Sequence, residues 1–279
     1  MRDALTGKVV LVTGASRGIG AGIARRFAAE GALVALCARS MEPGSGGHLA
    51  GSLVETANGI RDDGGTAHCI AADLGDPEVS KAAIVAEVGE ALGPVDVIVN
   101  NAAACSYLPV ERVSERRLRI AYEVNVIAPY LLVQAALPSM RERGQGWVLN
   151  ITTGVAEFPR DPLNSVNPLQ GVSSLYATSK SALNRLTVSF ASEFAGQGIA
   201  VNALAPERAV RTEGASAMME LADEWIEPME TMVEAALGLV TCDPAITTGV
   251  VTKSLTYLRE TGRAVRTLDG RTSFDGSIA

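Results

Sequence analysis

Val9-Val10-Leu11-Val12-Thr13-Gly14-Ala15-Ser16-Arg17-Gly18-Ile19-Gly20 is the stretch on which the fold turns. Four consecutive apolar residues, mostly β-branched, read as a buried strand that Thr13-Gly14 cuts off. Helical periodicity then takes over from Ile19 to Glu30. The glycines between these elements let the backbone turn tightly and approach a pyrophosphate, while the free N–H groups at the start of the helix favour its charge. An ordinary glycine-rich turn is the competing reading. No Gly-Lys-Ser/Thr follows, which disfavours a nucleoside triphosphate site of the Walker type.

The same alternation runs outward along the chain. Strands are expected at Leu33 to Ala38, Ala67 to Ala71, Val95 to Val99, Gly146 to Thr152 and Ile199 to Leu204. Helices are expected over Leu49 to Asp62, near Pro77 to Leu92, from about Ser114 to Arg143 and from about Leu175 to Ala195. Short strands separated by helices are repeated βαβ units, which force a parallel sheet covered on both faces. The fold class is therefore α/β, a doubly wound parallel sheet of the Rossmann type, and residues 1–279 are expected to form one domain. Three segments break the rhythm: the loop Ser40 to Gly51; Glu157 to Ser174, which holds three of the twelve prolines; and Glu207 to Met232, placed where a lid would lie.

Composition narrows the function. With 24 Lys+Arg against 31 Asp+Glu the net charge is −7, so a nucleic-acid partner is not expected, and aromatics at 4% provide few base-stacking surfaces. The two histidines, His48 and His68, leave no basis for a histidine-built zinc site, and no metal is expected. The four cysteines lack Cys-x-x-Cys spacing and read as reduced thiols. The N-terminus does not resemble a signal peptide, and no run approaches the ~18 uninterrupted apolar residues of a membrane span. A soluble cytoplasmic protein with no membrane partner is the expectation.

Tyr176-Ala177-Thr178-Ser179-Lys180 opens a helix with a tyrosine and a lysine on one face. A nearby ammonium stabilises phenolate, so the pair can serve as a proton donor or acceptor. Taken alone, it could equally be a surface tyrosine beside a solvated lysine. Combined in register with Gly14-x-x-x-Gly18-x-Gly20, Asn100-Asn101-Ala102 and Asn125, the pattern resembles the short-chain dehydrogenases/reductases over roughly residues 7 to 212, with a loose match at Leu268-Asp269-Gly270.

That resemblance implies roles. Tyr176 would exchange a proton with a carbonyl or alcohol oxygen while a hydride moves between nicotinamide and substrate. Lys180 would lower the tyrosine's pKa and hold the nicotinamide ribose, and Asn125 would anchor a water chain that resupplies the proton, unless it is a buried structural asparagine. Gly14, Ser16, Arg17, Gly18, Ile19 and Gly20 would cradle the dinucleotide, with Asn101 and Ala102 lining its cleft and Leu74 and Asp73 beside the adenine. Asp73 has a helix cap as its rival role. Pro206 and Thr212 would touch the nicotinamide end, although Thr212 stands one residue further along than is common.

NADP is favoured over NAD because the second strand ends at Ala38 with no carboxylate to bind both ribose hydroxyls. Arg39 can instead pair with a 2′-phosphate, and Arg17 could close on it, its alternative being a solvated helix-start residue. The catalytic serine of the family is replaced, in this register, by Thr153, with Ser165, Ser173 or Ser174 as other sources of the hydroxyl. Tyr176 follows Thr153 by 23 residues, about ten more than is common, so an insertion over 157–174 would rim the site unless it is a plain surface excursion. Ala103 and Glu207 stand where glycines are usual, and Glu207 would put a carboxylate near the nicotinamide amide.

Met218, Met219, Met229, Met232 and Trp225 in the 207–232 segment suggest either an adaptable apolar lid over a fairly hydrophobic substrate or simply the buried face of two helices. The expected partner is thus a small-molecule carbonyl or alcohol. Homo-oligomers, tetramers or dimers paired through the long helices, are common in the family. A cofactor-binding regulatory or structural protein that has lost turnover is the alternative, raised by Thr153 and Glu207.

Overall fold

The computed structural model describes residues 3–45, 49–158, 170–218 and 222–276. Its frame is a seven-stranded parallel sheet: β1 Val9–Thr13, β2 Leu33–Ala38, β3 Thr66–Ala71, β4 Val97–Asn100, β5 Gly146–Ile151, β6 Ile199–Ala205 and, at the edge, β9 Val251–Lys253. A separate two-residue pair, β7 Ala209–Val210 with β8 Ile226–Glu227, lies in the 207–232 segment. The strand order is β3-β2-β1-β4-β5-β6-β9, so the direction of winding reverses between β1 and β4. Neighbouring chain connections leave to opposite faces at that reversal, which opens a crevice at the carboxyl ends of the strands.

The helices cover both faces. α1 Gly18–Ala29 and α2 Leu53–Asp62 pack with α8 Met229–Val240 on one side; α3 Lys81–Leu92 and α5 Ala128–Arg143 lie on the other with α6 Ser174–Glu193. Every residue of β1, β4, β5 and β6 is buried, the mark of central parallel strands. The C-terminal segment is tied in by a buried ionic cluster: Arg26 pairs with Glu30 and with Glu234 at 3.3 Å, and Arg263 reaches Glu234 at 2.7 Å. Gly270, within Leu268-Asp269-Gly270, lies against the Arg26 guanidinium at a φ of +67°.

Several element starts differ from the sequence expectation, each through a cap. α2 begins at Leu53 rather than Leu49 because Ser52 is its N-cap: the side chain accepts from Glu55 N at 3.1 Å and donates to the Glu55 carboxylate at 2.9 Å. α3 begins at Lys81, where Ser80 Oγ accepts from Ala83 N; the turn from Pro77 is not helical. The expected helix over 114–143 forms, starting as α4 Glu115–Tyr122 and continuing into α5, but a single π turn, Glu123–Ile127, interrupts its ladder. Over Glu115–Arg143 it is long and apolar enough to pass for a bilayer span, with a mean hydropathy of 1.4 in its most apolar window. Its buried side, Ala128, Leu132, Val133, Ala136 and Met140, is nevertheless part of the core. α7 Glu213–Met218 and α9 Ser254–Thr261 complete the helices.

Candidate active site

The ends of β1 to β4 open onto a cavity of about 1260 Å³. Gly14, Ser16 and Arg17 line it from the first turn, Arg39 and Ser40 from the end of β2, Asp73 and Leu74 from the end of β3, and Asn101 and Ala102 from the end of β4. Glycine is required in this turn. Gly14 and Gly18 have φ of +66° and +56°, and a Cβ on Gly14 would come within 2.9 Å of Ala102 Cα. A Cβ on Gly20 would strike the Gly14 carbonyl. Ile19 packs half-buried on the core and fixes the first turn of α1. Arg17, at the N-cap position, places no side-chain acceptor on the helix N-terminus, as suits an anion cradle. These residues fit a dinucleotide.

Asn101 ties this cradle to β4. Its Nδ2 donates to Thr13 O at 2.9 Å and Gly14 O at 3.1 Å, and the Asn101 and Ala102 N–H groups both donate to Thr13 Oγ1 at 3.0 Å. The structural and cleft-lining roles of this motif therefore coexist. Asn100, buried, donates to Asn150 Oδ1 at 2.8 Å, and Asn150 passes the link to Thr187 of α6.

Asn125 lies in the π turn, fully buried. Its Oδ1 accepts from Ala104 N at 2.9 Å, while Nδ2 donates to Ala104 O at 3.1 Å and to Ser179 Oγ at 2.9 Å. Ser179 Oγ in turn donates to Tyr176 O at 2.9 Å. With both amide protons spent, the second lone pair of Oδ1 is what remains among the described residues to anchor a water. Lys180, one turn after Tyr176, is buried and donates from Nζ to Ile151 O at 2.7 Å, at the end of β5.

The pair therefore does not behave as the lone motif suggested. Burial, with the Cys105 and Tyr107 side chains adding to it, pushes the Tyr176 phenol well above its ordinary value. Burial also pulls Lys180 down to about 8, against the opposing influence of Cys105. In the folded chain, desolvation outweighs the attraction expected between ammonium and phenolate. Tyr107 stands edge-on to Tyr176, ring centroids 5.7 Å apart at 77°. Cys105 and Tyr107 belong to no sequence motif, and nothing in their spacing announced them.

Other expectations are placed or corrected. Asp73 does not cap α3: its Oδ1 accepts from Gly75 N at 2.9 Å, closing a local turn, and it stays exposed on the cavity. Arg17 is not a solvated helix-start residue, since its Nη2 donates to Ser40 Oγ at 3.1 Å and to Gly51 O at 3.0 Å while Nε is buried without a partner. Arg39 is exposed on the cavity beside it. Thr153 is half-buried and caps the short turn Gly154–Ala156, accepting from Val155 N at a long 3.5 Å. Ser173 is buried, Ser174 is exposed at the start of α6, and Ser165 lies outside the described residues with the rest of 159–169.

Pro206 follows β6, but Glu207 turns away toward α9. Its carboxylate accepts from Thr256 N and Oγ1 at 2.8 Å and from Arg259 at 2.7 Å. Burial alone would raise its pKa; the hydrogen bonds from Arg259 and Thr256 more than reverse this and lower it.

The lid reading is corrected in part. Met232 is fully buried, and Met229 packs beside Gly22 of α1, so both belong to the interface of α8 with α1. Trp225 is 63% exposed. Met219 is outside the described residues, as is the Met218 side chain. Thr212 caps α7 by accepting from Ala215 N at 3.1 Å and lies directly against Gly18. Its neighbour Glu213 accepts from Gly18 N at 3.1 Å, placing a carboxylate on the anion-favouring end of α1.

Comparison with known proteins agrees with this geometry. The family model described as short chain dehydrogenase matches residues 8–221. A short chain dehydrogenase of Pseudocercospora fijiensis is 34% identical over 259 residues, covering 86% of this chain and 77% of that protein. The structure of a 3-oxoacyl (acyl-carrier-protein) reductase of Agrobacterium tumefaciens C58 with NADP bound aligns with a TM-score of 0.73 at 31% identity, over 89% of this chain and 93% of that one. A metagenomic short-chain oxidoreductase in complex with NADP aligns with a TM-score of 0.70 at 29% identity, over 90% and 98%. This chain belongs to the short-chain dehydrogenase/reductase family of oxidoreductases.

Proposed function

We propose that the protein is an NADP(H)-dependent oxidoreductase that interconverts a carbonyl and a secondary alcohol, with Tyr176 as acid/base and a fairly hydrophobic substrate. The observation that carries this reading is the set of contacts that ties the glycine turn to the helix bearing Tyr176. Asn101 bonds Gly14 O, the loop that follows is held at Ala104 by Asn125, and Asn125 reaches through Ser179 to the Tyr176 backbone carbonyl.

Gly14, Ser16, Arg17 and Gly18 would hold the diphosphate, Leu74 and Asp73 the adenine, and Lys180 the nicotinamide ribose. When bound, the dinucleotide supplies or accepts the hydride. Tyr176 gives its proton to the carbonyl oxygen, or takes one from the alcohol. The raised phenol favours holding that proton near neutral pH, which suits carbonyl reduction. Thr153 offers a hydroxyl at the end of β5 for the substrate oxygen. Asn125 holds the loop and α6 in register and keeps one acceptor site for water.

Arg39 supports NADP(H). It is exposed on the cavity where β2 ends without a carboxylate, and Ser40, held by Arg17, lies beside it. Exposed Tyr130 on α5 and Val188 on α6 support a homo-oligomer formed through these helices.

A cofactor-binding protein without turnover is the second reading, favoured by Thr153, which stands for the family's serine and uses its hydroxyl oxygen on Val155 N. Absorbance of the reduced nicotinamide, followed with a panel of ketones and secondary alcohols, separates the two. The expected result is turnover that prefers NADPH, falls about 100-fold or more in Tyr176→Phe, and loses its cofactor preference in Arg39→Ala. Tight NADPH binding with no turnover on any compound would establish the second reading.

A further inference from the structure

We propose that Tyr107 is a positioning residue for Tyr176, its ring fixing the Tyr176 ring and excluding water from it. The inference rests on the proposed acid/base role of Tyr176. The segment from Asn101 to Pro109, between β4 and the short turn Val110–Arg112, has no regular secondary structure. It is nevertheless held at two points: Asn101 by Thr13 and Gly14, and Ala104 by Asn125, which uses both its oxygen and its amide nitrogen on that one peptide unit. Three residues beyond the second anchor comes Tyr107. Its edge-to-face contact with Tyr176 is the favourable arrangement of two ring quadrupoles.

Tyr176 is buried and Tyr107 half-buried, and neither belongs to either hydrophobic cluster of the sheet, so their contact stands apart from the packing of the two faces. Tyr107 is half-buried on a loop at the carboxyl ends of the strands, and Cys105, next to the anchor, interacts with the Tyr107 hydroxyl. The titratable groups facing Tyr176 are Cys105 and Tyr107 from the loop, with Lys180 one turn further along its own helix. Both loop side chains act in the same direction as burial, disfavouring phenolate. Asn125 therefore controls Tyr176 twice, from below through Ser179 and from the side through the loop that carries Tyr107.

The test uses the full chain with ring-labelled tyrosine and NMR. Of the five tyrosines, the Tyr176 signal is the one lost in Tyr176→Phe. In Tyr107→Ala that signal should ionise at lower pH and broaden from ring motion, and kcat should fall about tenfold or more with the KM for NADPH unchanged. Tyr107→Phe should restore the sharp Tyr176 signal and kcat, while the Tyr176 ionisation stays lowered by loss of the Tyr107 hydroxyl. Tyr107→Leu replaces the alanine variant if melting shows that it is unfolded; it keeps apolar cover without a ring, and ring broadening with loss of kcat is then expected. An unchanged Tyr176 signal in the alanine or leucine variant would overturn the proposal. So would a rise in substrate KM alone, because that would make Tyr107 a substrate wall, or equal defects in the alanine and phenylalanine variants. Full turnover by Tyr176→Phe would instead remove the underlying acid/base reading, an outcome the Tyr107 variants do not produce.

Discussion

Asn125 and Ser179 are joined side chain to side chain at 2.9 Å, although they belong to different helices and lie 54 residues apart. The bond couples the π turn to the first turns of α6. A regular α-helix at 123–127 would carry Asn125 round by a different angle, and π turns often mark functional positions for that reason. Removing the amide leaves Ala104 N and O without their side-chain partner and takes the Nδ2 donor from Ser179 Oγ in a buried place.

Asn125→Ala should therefore destabilise the fold by roughly 2–4 kcal/mol, since several buried polar groups lose their partner at about 1–3 kcal/mol each with partial relief by water. Urea unfolding measures this. Ser179→Ala, which removes one hydroxyl, should cost about 1 kcal/mol. Turnover should fall more in Asn125→Ala than the stability loss explains, because both supports of Tyr176 move.

Lys180 sets an alkaline limit. With its pKa lowered to about 8, the side chain is an ammonium below that pH and loses its charge as pH rises through it. Carbonyl reduction should decline above about pH 8, and the Tyr176 phenol, pushed upward, should still carry its proton there. The kcat/KM profile from about pH 6 to 10 checks this. Lys180→Met should abolish the decline together with most of the activity.

Glu213 should compete with the cofactor. Its carboxylate accepts the Gly18 N–H at the positive end of α1, where a diphosphate would bind, and it adds negative charge to that end of the cradle. Glu213→Gln should tighten NADPH binding by about threefold to tenfold, corresponding to roughly 0.7–1.4 kcal/mol. Fluorescence titration measures it. An unchanged or weaker affinity would show that the carboxylate swings clear at no cost.

Glu227 should make stability fall with rising pH. Burial raises its pKa to about 7, although hydrogen bonds from Ser254 Oγ, at 2.6 and 2.8 Å to the two oxygens, and from Arg208 N lower it. Between about 4.5 and 7 the folded chain holds a proton on this group that the unfolded chain has released. The contribution is present below that window and lost through it, amounting to about 3 kcal/mol. Melting at about pH 6 and pH 8 should show a larger drop in the wild type than in Glu227→Gln.

The doubly wound sheet was legible because its signals are local. Val9 to Val12 announce a buried strand, Gly14, Gly18 and Gly20 a turn that side chains would obstruct, and Tyr176 with Lys180 one face of a helix. Caps were the weak point, since Ser52 and Ser80 moved helix starts that periodicity alone placed too early. Each of these features depends on backbone angles and side-chain spacing within a few residues.

What surrounds those residues was decided by the folded chain. Glu207 reads as a carboxylate near the nicotinamide until its partner Thr256, 49 residues away, draws it to α9. Met229 and Met232 read equally as a lid or as the buried face of two helices until α8 lies on α1. Lys180 reads as the group that acidifies Tyr176, and only the closed crevice shows both side chains stripped of water, which raises the phenol and lowers the ammonium. Desolvation and contacts between distant segments exist only once the layers have closed, so short-range pattern names the groups and tertiary packing sets their charge and their neighbours.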